Sequence, residues 1–246
     1  MTNIVSVSLN KDLRVLLWDL DGTLVRGKRF GTFKDYTVPM LESVFGTAGS
    51  LREMIVSGMT DLQIVEEALR CDGITREHIS ARKDQLRESY LREMKHAVGN
   101  GAHVIEAIPG AHQTLERLQE HSRYRSALLT GNIEPAAHFK VEVAGLTKYF
   151  TLPGAFGDES FDRRDLPAIA AKRINDQLGA KLSPEQFIVI GDTPNDIACA
   201  RHFGARVVAV ATGRVHSADQ LRECEPDALL PDLLNVELVI KTLDAL

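Results

Sequence analysis

The chain has 246 residues, of which 44% are hydrophobic and 26% charged, and its net charge of −5 is typical of a globular protein and not of a general nucleic-acid binder. A membrane span requires an apolar run of about 18 residues, and the sequence has none. Residues 1–12 lack the basic start and the apolar stretch of a signal peptide. Cys71, Cys199 and Cys224 form no CxxC pair, so neither a structural zinc nor a disulfide framework is expected, and we predict a cytoplasmic protein.

The first predicted element is a short buried strand that ends in two acids. Residues 14–18 (RVLLW) form an apolar run bounded by polar residues, a pattern typical of a strand covered on both faces. Asp19 and Asp21 follow with one residue between them, and Gly22-Thr23 then provide a turn. Carboxylates at alternate positions of a strand point the same way, so they repel each other, and burial penalises their charge further. Such a pair requires a compensating positive charge.

Residues 26–103 are predicted to form an all-helical insertion. Thr60-Asp-Leu-Gln63 fits a capping box, and a later helix is expected from Thr75 to about Lys95, with apolar side chains along one side at Ile79, Leu86, Tyr90 and Met94. No strand is predicted there, and the segment is not Gly/Ser-rich, so it is not a flexible linker. We expect the outgoing hinge at residues 26–31 and the return hinge at residues 99–103.

Strands and helices alternate from about residue 104 onward, which indicates a parallel sheet covered on both faces. Strands are expected at residues 124–130, 186–192, 206–212 and 227–230. Helix starts are indicated at Pro109-Gly110, Ser183–Gln186 and Ser217–Gln220, and Gly204 ends a helical stretch that begins at residue 194. The predicted fold is α/β: a doubly wound parallel-sheet (Rossmann-like) core of residues 1–25 and 104–246, with an inserted all-helical cap domain of residues 26–103.

Several of these strands end in groups that can bind a metal or a phosphate. Thr130 is followed by Gly131 and Asn132, and Asp192 is followed one helical turn later by Asp196. Because sites in open α/β sheets form at the carboxyl ends of the strands, these groups are expected to share one crevice with the first two acids. A hard divalent cation, with Mg2+ as the expected ion, would offset the repulsion among these carboxylates.

These motifs resemble those of the haloacid dehalogenase-like hydrolases, in their phosphoglycolate phosphatase-like branch with a helical cap. The Asp-x-Asp-Gly-Thr-Leu pattern is present from Asp19 to Leu24, the hydroxyl residue that ends the second strand is Thr130, and Gly-Asp-x-x-x-Asp is present from Gly191 to Asp196. Relatives also carry a cation before the last of these motifs. Here residues 159–174 contain Arg163, Arg164 and Lys172 as alternatives, of which Arg163 is preferred.

The resemblance implies a phosphatase that hydrolyses a small phosphate monoester, with Asp19 as nucleophile and Asp21 as general acid and base. It implies that Mg2+ is bound by Asp19, the backbone carbonyl of Asp21, and Asp192, with Asp196 positioning neighbouring groups. The implied phosphate-binding groups are Thr130, Gly131, Asn132 and Arg163. The expected partner is a small phosphorylated metabolite, neither nucleic acid nor membrane, and the oligomeric state is not readable from the sequence.

Other interpretations remain open. A phosphomutase of the same superfamily would use the same aspartyl-phosphate, and a catalytically inactive binding or scaffold protein could retain the fold. A dehalogenase is disfavoured because, as the resemblance implies, the dehalogenases of the superfamily lack the second acid, which this chain has as Asp21. Taken singly, the acids Asp192 and Asp196 could merely offset a helix dipole, and Arg163 could form a surface ion pair.

Overall fold

The computed structural model describes residues 12–29, 31 and 33–246, and its centre is a five-stranded parallel sheet. The order of the strands across the sheet is β4-β1-β5-β6-β7. The strands of this sheet are β1 Arg14–Trp18, β4 Tyr124–Leu128, β5 Phe187–Gly191, β6 Arg206–Val210 and β7 Ala228–Leu230. A separate antiparallel pair is formed by β2 Val25–Gly27 and β3 Ile105–Ala107. The predicted parallel sheet is therefore confirmed.

Helices cover both faces of the sheet, and the side chains that β1 directs to each face are apolar. Leu16 and Trp18 belong to one buried cluster and Val15 and Leu17 to the other, and all four are fully buried. The helices of the core are α5 Ala111–Glu120, α6 Glu134–Val143, α7 Leu166–Leu178, α8 Pro194–Phe203, α9 Ala218–Glu223 and α10 Val236–Asp244. Among the described residues, no helix is long and apolar enough to cross a membrane.

The insertion between β2 and β3 is helical over most of its length. Its α-helices are α1 Lys34–Phe45, α2 Asp61–Leu69, α3 Arg76–Ala81 and α4 Lys83–Gly99. Their buried side chains join the same cluster as Leu16 and Trp18, so the insertion packs directly on the core. The division into a core and a cap at the predicted boundaries stays a prediction. Most of the segment considered as a signal peptide, residues 1–11, lies outside the described residues. So do Phe30 and Thr32, near the expected outgoing hinge at residues 26–31.

Two details of the insertion differ from the sequence prediction. The expectation of no strand in residues 26–103 is wrong, because β2 extends to Gly27, but it has only three residues and its partner β3 lies far away in the sequence. The single helix expected from Thr75 is interrupted at Arg82, whose backbone is not helical. The two halves pack on different neighbours, α3 on α2 and α4 on α1 and α6.

The helix caps agree more closely with the sequence prediction than the bounds of the elements in the insertion do. The Thr60 hydroxyl accepts a hydrogen bond from the Gln63 backbone N–H at the start of α2, and Ser217 forms a full capping box with Gln220 at α9. Ser183–Gln186 also forms a capping box, but only a single 3₁₀ turn follows it before β5 begins. Gly204 ends α8 in the left-handed conformation, as predicted.

Candidate active site

The sheet order brings the predicted acids and hydroxyl together at one edge. β1 lies between β4 and β5, and the residues that follow these strands are Asp19, Thr130 and Asp192. Because the strands are parallel, their carboxyl ends meet, and the three side chains line one cavity of about 580 Å³. Asp21, Gly131, Asn132 and Arg163 line the same cavity. The structure therefore assembles these predicted residues, with Asp196 buried behind them.

The turn after β1 places Asp192 close to the backbone of the first motif. Gly22 has φ of +95°, and a Cβ atom there would lie 2.4 Å from Asp192 Oδ2. Thr23 donates a hydrogen bond of 3.1 Å to Asp192 Oδ1. Glycine is thus required at position 22 both for the backbone conformation and for space. The Asp-Gly-Thr sequence fixes the two strand ends against each other.

Arg163 compensates the charge of the buried acids. Its Nη2 donates to Asp19 Oδ1 at 2.7 Å and also to Asp196 Oδ1, and all three side chains are at least nine-tenths buried. Its Nη1 donates to the carbonyl of Gly58, in the loop before α2, at 3.2 Å. The two alternatives lie elsewhere: Arg164 is exposed and pairs with Asp162, and Lys172 is exposed and pairs with Asp176. Of the three candidate cations, only Arg163 contacts Asp19.

Burial and mutual repulsion disfavour the charged forms of the acids at this edge. Burial, together with the charge of Asp196, raises the pKa of Asp19 to about 7, although Arg163 opposes this shift. Burial and the charge of Asp19 also raise the pKa of Asp192 well above its usual value. A bound cation would favour the charged forms of both carboxylates and so offset the free-energy cost of burying their charges.

A divalent cation fits this donor set. Carboxylate oxygens of Asp19, Asp192 and Asp196 lie within 4.8 Å of one another. Asp196 is already committed, because its Oδ1 accepts from Arg163 and its Oδ2 accepts from the Thr193 N–H and hydroxyl at 3.0 and 2.7 Å. No hydrogen bond from a described residue reaches Oδ2 of Asp19 or of Asp192. These two oxygens are therefore the side-chain atoms best placed to bind a hard cation.

Asp21 lies in a different environment from Asp19. Its side chain is about half exposed (49%) toward the cavity, and its Oδ2 accepts hydrogen bonds of 2.6 Å from Lys140 Nζ and from Asn132 Nδ2. Lys140 also donates to Asn132 Oδ1 at 2.6 Å, and Asn132 Nδ2 donates to the Thr130 hydroxyl at 2.8 Å. A chain of hydrogen bonds thus connects Asp21 to the hydroxyl at the end of β4.

Lys140 is not among the site residues predicted from the sequence, although α6 carries a signal for it. Ala136, Ala137 and Val141 on the same helix are buried, and Lys140 shares their face because it lies three or four residues from the two alanines. A lysine on the buried face of a helix requires an acidic partner. That partner is Asp21, and burial is outweighed by its charge, so the pKa of Lys140 is raised.

Asp61 was considered only as part of a helix cap, but it joins the insertion to the core. Its backbone N–H donates to the carbonyl of Gly131 at 2.7 Å, and its Oδ2 accepts from the Ile133 N–H at 2.8 Å. A Cβ atom at Gly131 would lie 2.0 Å from the carbonyl of Met59, so glycine allows the two backbones to approach. Burial raises the pKa of Asp61 to about 7. The start of α2 is therefore fastened to the loop after β4.

Residues 13–204 match the family model described as haloacid dehalogenase-like hydrolase. The chain is 25% identical over 211 residues to a phosphoglycolate phosphatase from Aquifex aeolicus (strain VF5), covering 85% of this chain and 90% of that protein. It is 21% identical over 238 residues to Pyrophosphatase PpaX from Oceanobacillus iheyensis, covering 93% of this chain and 97% of that protein.

A solved structure with the same fold is that of a β-phosphoglucomutase from Clostridium difficile. The TM-score is 0.64 at 12% identity, and the match covers 95% of this chain and 98% of that one. At this identity the likeness concerns the fold alone, and it extends over the core and the helical insertion together.

Arg163→Met is expected to destabilise the protein strongly. The substitution leaves Asp19 and Asp196 buried without a compensating charge, so the free energy of unfolding should fall by about 3–5 kcal/mol. The matched change Arg164→Met removes only an exposed ion pair and should cost about 0–1 kcal/mol. Urea unfolding of the two variants measures both values. Equal small losses would contradict the role assigned to the buried guanidinium.

Proposed function

The chain belongs to the haloacid dehalogenase-like hydrolases, and on that basis we propose that it is a Mg2+-dependent phosphatase that hydrolyses a small phosphate monoester through an aspartyl-phosphate intermediate. The single observation that supports this function best is the convergence of Asp19, Asp21, Asp192 and Arg163 on one cavity. Relatives named phosphoglycolate phosphatase support a small phosphorylated metabolite as the substrate class.

The proposed metal site uses the oxygens that the protein leaves uncommitted. Mg2+ would be held by Asp19, by Asp192 and by the backbone carbonyl of Asp21, with water and substrate oxygens completing its shell. When bound, the ion would reduce the repulsion between an anionic nucleophile and an anionic substrate. Asp196 instead positions Arg163 and the turn at Thr193 through its own hydrogen bonds.

In the proposed reaction a carboxylate oxygen of Asp19 attacks phosphorus, and the bond from phosphorus to the alcohol oxygen breaks. Asp21 gives a proton to the departing alcohol and later takes one from the water that hydrolyses the aspartyl-phosphate. Arg163 and the Thr130 hydroxyl, with the amides of Gly131 and Asn132, provide positive charge and hydrogen-bond donors for the transferring oxygens.

Lys140 has a positioning role in this proposal. Its ammonium group holds Asp21 and Asn132 at 2.6 Å each, so it fixes the proton carrier relative to the loop after β4. The contact also keeps a positive charge beside Asp21. Each of the two acids of the first motif thus has its own buried cation.

Asp19→Asn should lower phosphate release from p-nitrophenyl phosphate by at least about a thousandfold, because the amide cannot form the covalent intermediate. In the wild-type enzyme, EDTA should remove the activity and Mg2+ should restore it. Asp219→Asn, at an exposed position, is the matched control and should keep full activity. Substantial turnover by the Asp19 variant, or activity indifferent to EDTA, would refute the mechanism. Formation of a sugar-phosphate isomer without phosphate release would favour a phosphomutase instead.

Mg2+ is expected to stabilise the protein more at about pH 8 than at about pH 5.5. The pKa of Asp19 is raised by folding, so the stability it contributes is full below its unfolded pKa near 4 and is lost as the pH rises through about 7. Ion binding reverses this loss, and a saturating concentration should raise Tm by about 5 °C at the higher pH.

Thermal unfolding with and without Mg2+ measures this difference. Asp192→Asn should remove the Mg2+-dependent shift, whereas Asp219→Asn should retain it, since only the first side chain belongs to the acidic cluster. A shift of the same size at both pH values would contradict the assignment of ligands that must lose a proton to bind the ion.

Lys140→Met should lower kcat by about 10- to 100-fold with little change in KM, because the proton carrier loses its fixed position while the phosphate-binding groups remain. Met fills a similar buried volume, and Asp21 can be hydrated from the cavity, so Tm should change little. Steady-state kinetics and thermal unfolding measure the two effects. Lys172→Met, at an exposed position, is the control. A rise in KM with unchanged kcat would instead assign Lys140 to substrate binding.

A further inference from the structure

The insertion contributes a cluster of apolar side chains to the lining of the cavity, beside the charged residues Lys34, Glu53 and Asp61. Met54, Val56, Met59 and Ile64 line it, and Phe33 lines it from the start of α1. These five side chains, here called the apolar wall, line the same cavity as Asp21, the group that would contact the departing alcohol. The chemistry of this wall therefore bears on the identity of that alcohol, provided that the proposed phosphatase function is correct.

Ile55 at the rim of the cavity is unusually exposed. Its side chain is 81% accessible to solvent, the largest exposure among the large hydrophobic residues described. Ile55 lines the cavity together with Met54 and Val56, so the exposed side chain adjoins an apolar wall. A ligand with an apolar body would cover it and remove that surface from water.

His103 is a buried polar side chain that lines the same cavity. It is only 5% exposed, and its Nδ1 has no hydrogen-bond partner among the described residues. Its ring packs edge-on against Tyr36 with centroids 5.3 Å apart, and Tyr36 packs in the same way against Tyr90 at 5.4 Å. Burial and the charge of Lys140 lower the pKa of His103, which favours the neutral ring. A neutral imidazole suits a neutral hydrogen-bonding group better than a carboxylate.

The buried cations of the cavity are already used by the protein. Lys140 is bound to Asp21 and Asn132, and Arg163 is bound to Asp19 and Asp196. The other basic side chains that line the cavity belong to the loops and strand at its mouth and to the start of α1: Arg26, Arg29, Lys34 and Arg214. Lys34 adjoins Phe33 of the apolar wall but donates to the carbonyl of Arg52, so among the described residues the wall has no buried cation to pair with a substrate carboxylate.

From these features we infer that the substrate is the phosphate ester of an uncharged alcohol with a largely apolar, ring-sized body, which packs on the wall around Ile55 and places a neutral polar group against His103. A cavity of about 580 Å³ falls within the range typical of small-molecule sites. A two-carbon acid would leave much of it filled with water, whereas a ring-sized body excludes water from the reacting groups.

The inference is tested with phosphate esters of alcohols of similar acidity: benzyl phosphate, ethyl phosphate and 2-phosphoglycolate. The kcat/KM for benzyl phosphate should exceed that for ethyl phosphate by at least about tenfold, and 2-phosphoglycolate should show no advantage over ethyl phosphate. Mg2+-dependent phosphate release from p-nitrophenyl phosphate and from these three esters tests the phosphatase function separately. Failure with all four overturns the proposed function, whereas hydrolysis in which benzyl phosphate has no advantage over ethyl phosphate, or in which 2-phosphoglycolate is preferred tenfold, overturns only the inferred substrate class.

Two pairs of variants test the residues. Ile55→Ser should lower the ratio of benzyl to ethyl phosphate turnover several-fold, whereas Leu234→Ser, at another exposed apolar residue that does not line the cavity, should leave the ratio unchanged. Because Ile55 is exposed, its replacement should not unfold the protein. An unchanged ratio in the Ile55 variant would overturn the assignment of the wall.

For His103, benzyl phosphate is compared with its ortho, meta and para hydroxymethyl derivatives. At least one isomer should be hydrolysed about tenfold more efficiently than benzyl phosphate itself, and His103→Phe should remove that advantage. His96→Phe, on the exposed face of α4, should preserve it. The absence of any preferred isomer, or a preference that survives in the His103 variant, would overturn the role of this residue.

Discussion

The hydrogen bonds of one buried guanidinium make the rest of the site possible. Asp19 and Asp196 lie in the same buried environment, and Arg163 Nη2 donates to both of them. Its charge is maintained at every accessible pH, because these acids raise its pKa further. The same side chain reaches the carbonyl of Gly58 in the insertion. A single residue therefore balances the acids of the sheet and contacts the layer that covers them.

The two acids of the first motif differ because their surroundings differ. Asp19 is buried against Arg163, and its pKa is raised to about 7, whereas Asp21 is half exposed to the cavity and is held by Lys140. Paired carboxylates with contrasting environments can divide nucleophilic and proton-transfer roles between them. In this protein the contrast arises from position on the strand end: the first acid still belongs to the covered sheet, and the second already belongs to the turn.

Much of this arrangement follows from local sequence. Apolar runs that end in Asp19, Thr130 and Asp192 specify parallel strands, and parallel strands bring their ends together, so the site could be predicted without knowledge of the strand order. The preference for Arg163 over Arg164 and Lys172 came from a resemblance and stays a prediction, and Arg163 is the one of the three that is buried against Asp19.

Features that depend on pairing across long stretches of chain could not be predicted in the same way. The roles of Lys140 and Asp61 depend on contacts with Asp21 and with the loop after β4, which folding brings near from distant parts of the sequence. The strand β2 has three residues, too few for a periodic signal, and is stabilised by a partner about 80 residues away. The interruption at Arg82 likewise reflects packing on separate neighbours and not a helix-breaking sequence.

The antiparallel pair of β2 and β3 brings the two ends of the insertion side by side. Val25 is opposite Ala107, and Gly27 is opposite Ile105, so the polypeptide leaves the core and re-enters it at adjacent points. Residues between these two points can therefore be added, removed or replaced without changing the order of the strands in the parallel sheet.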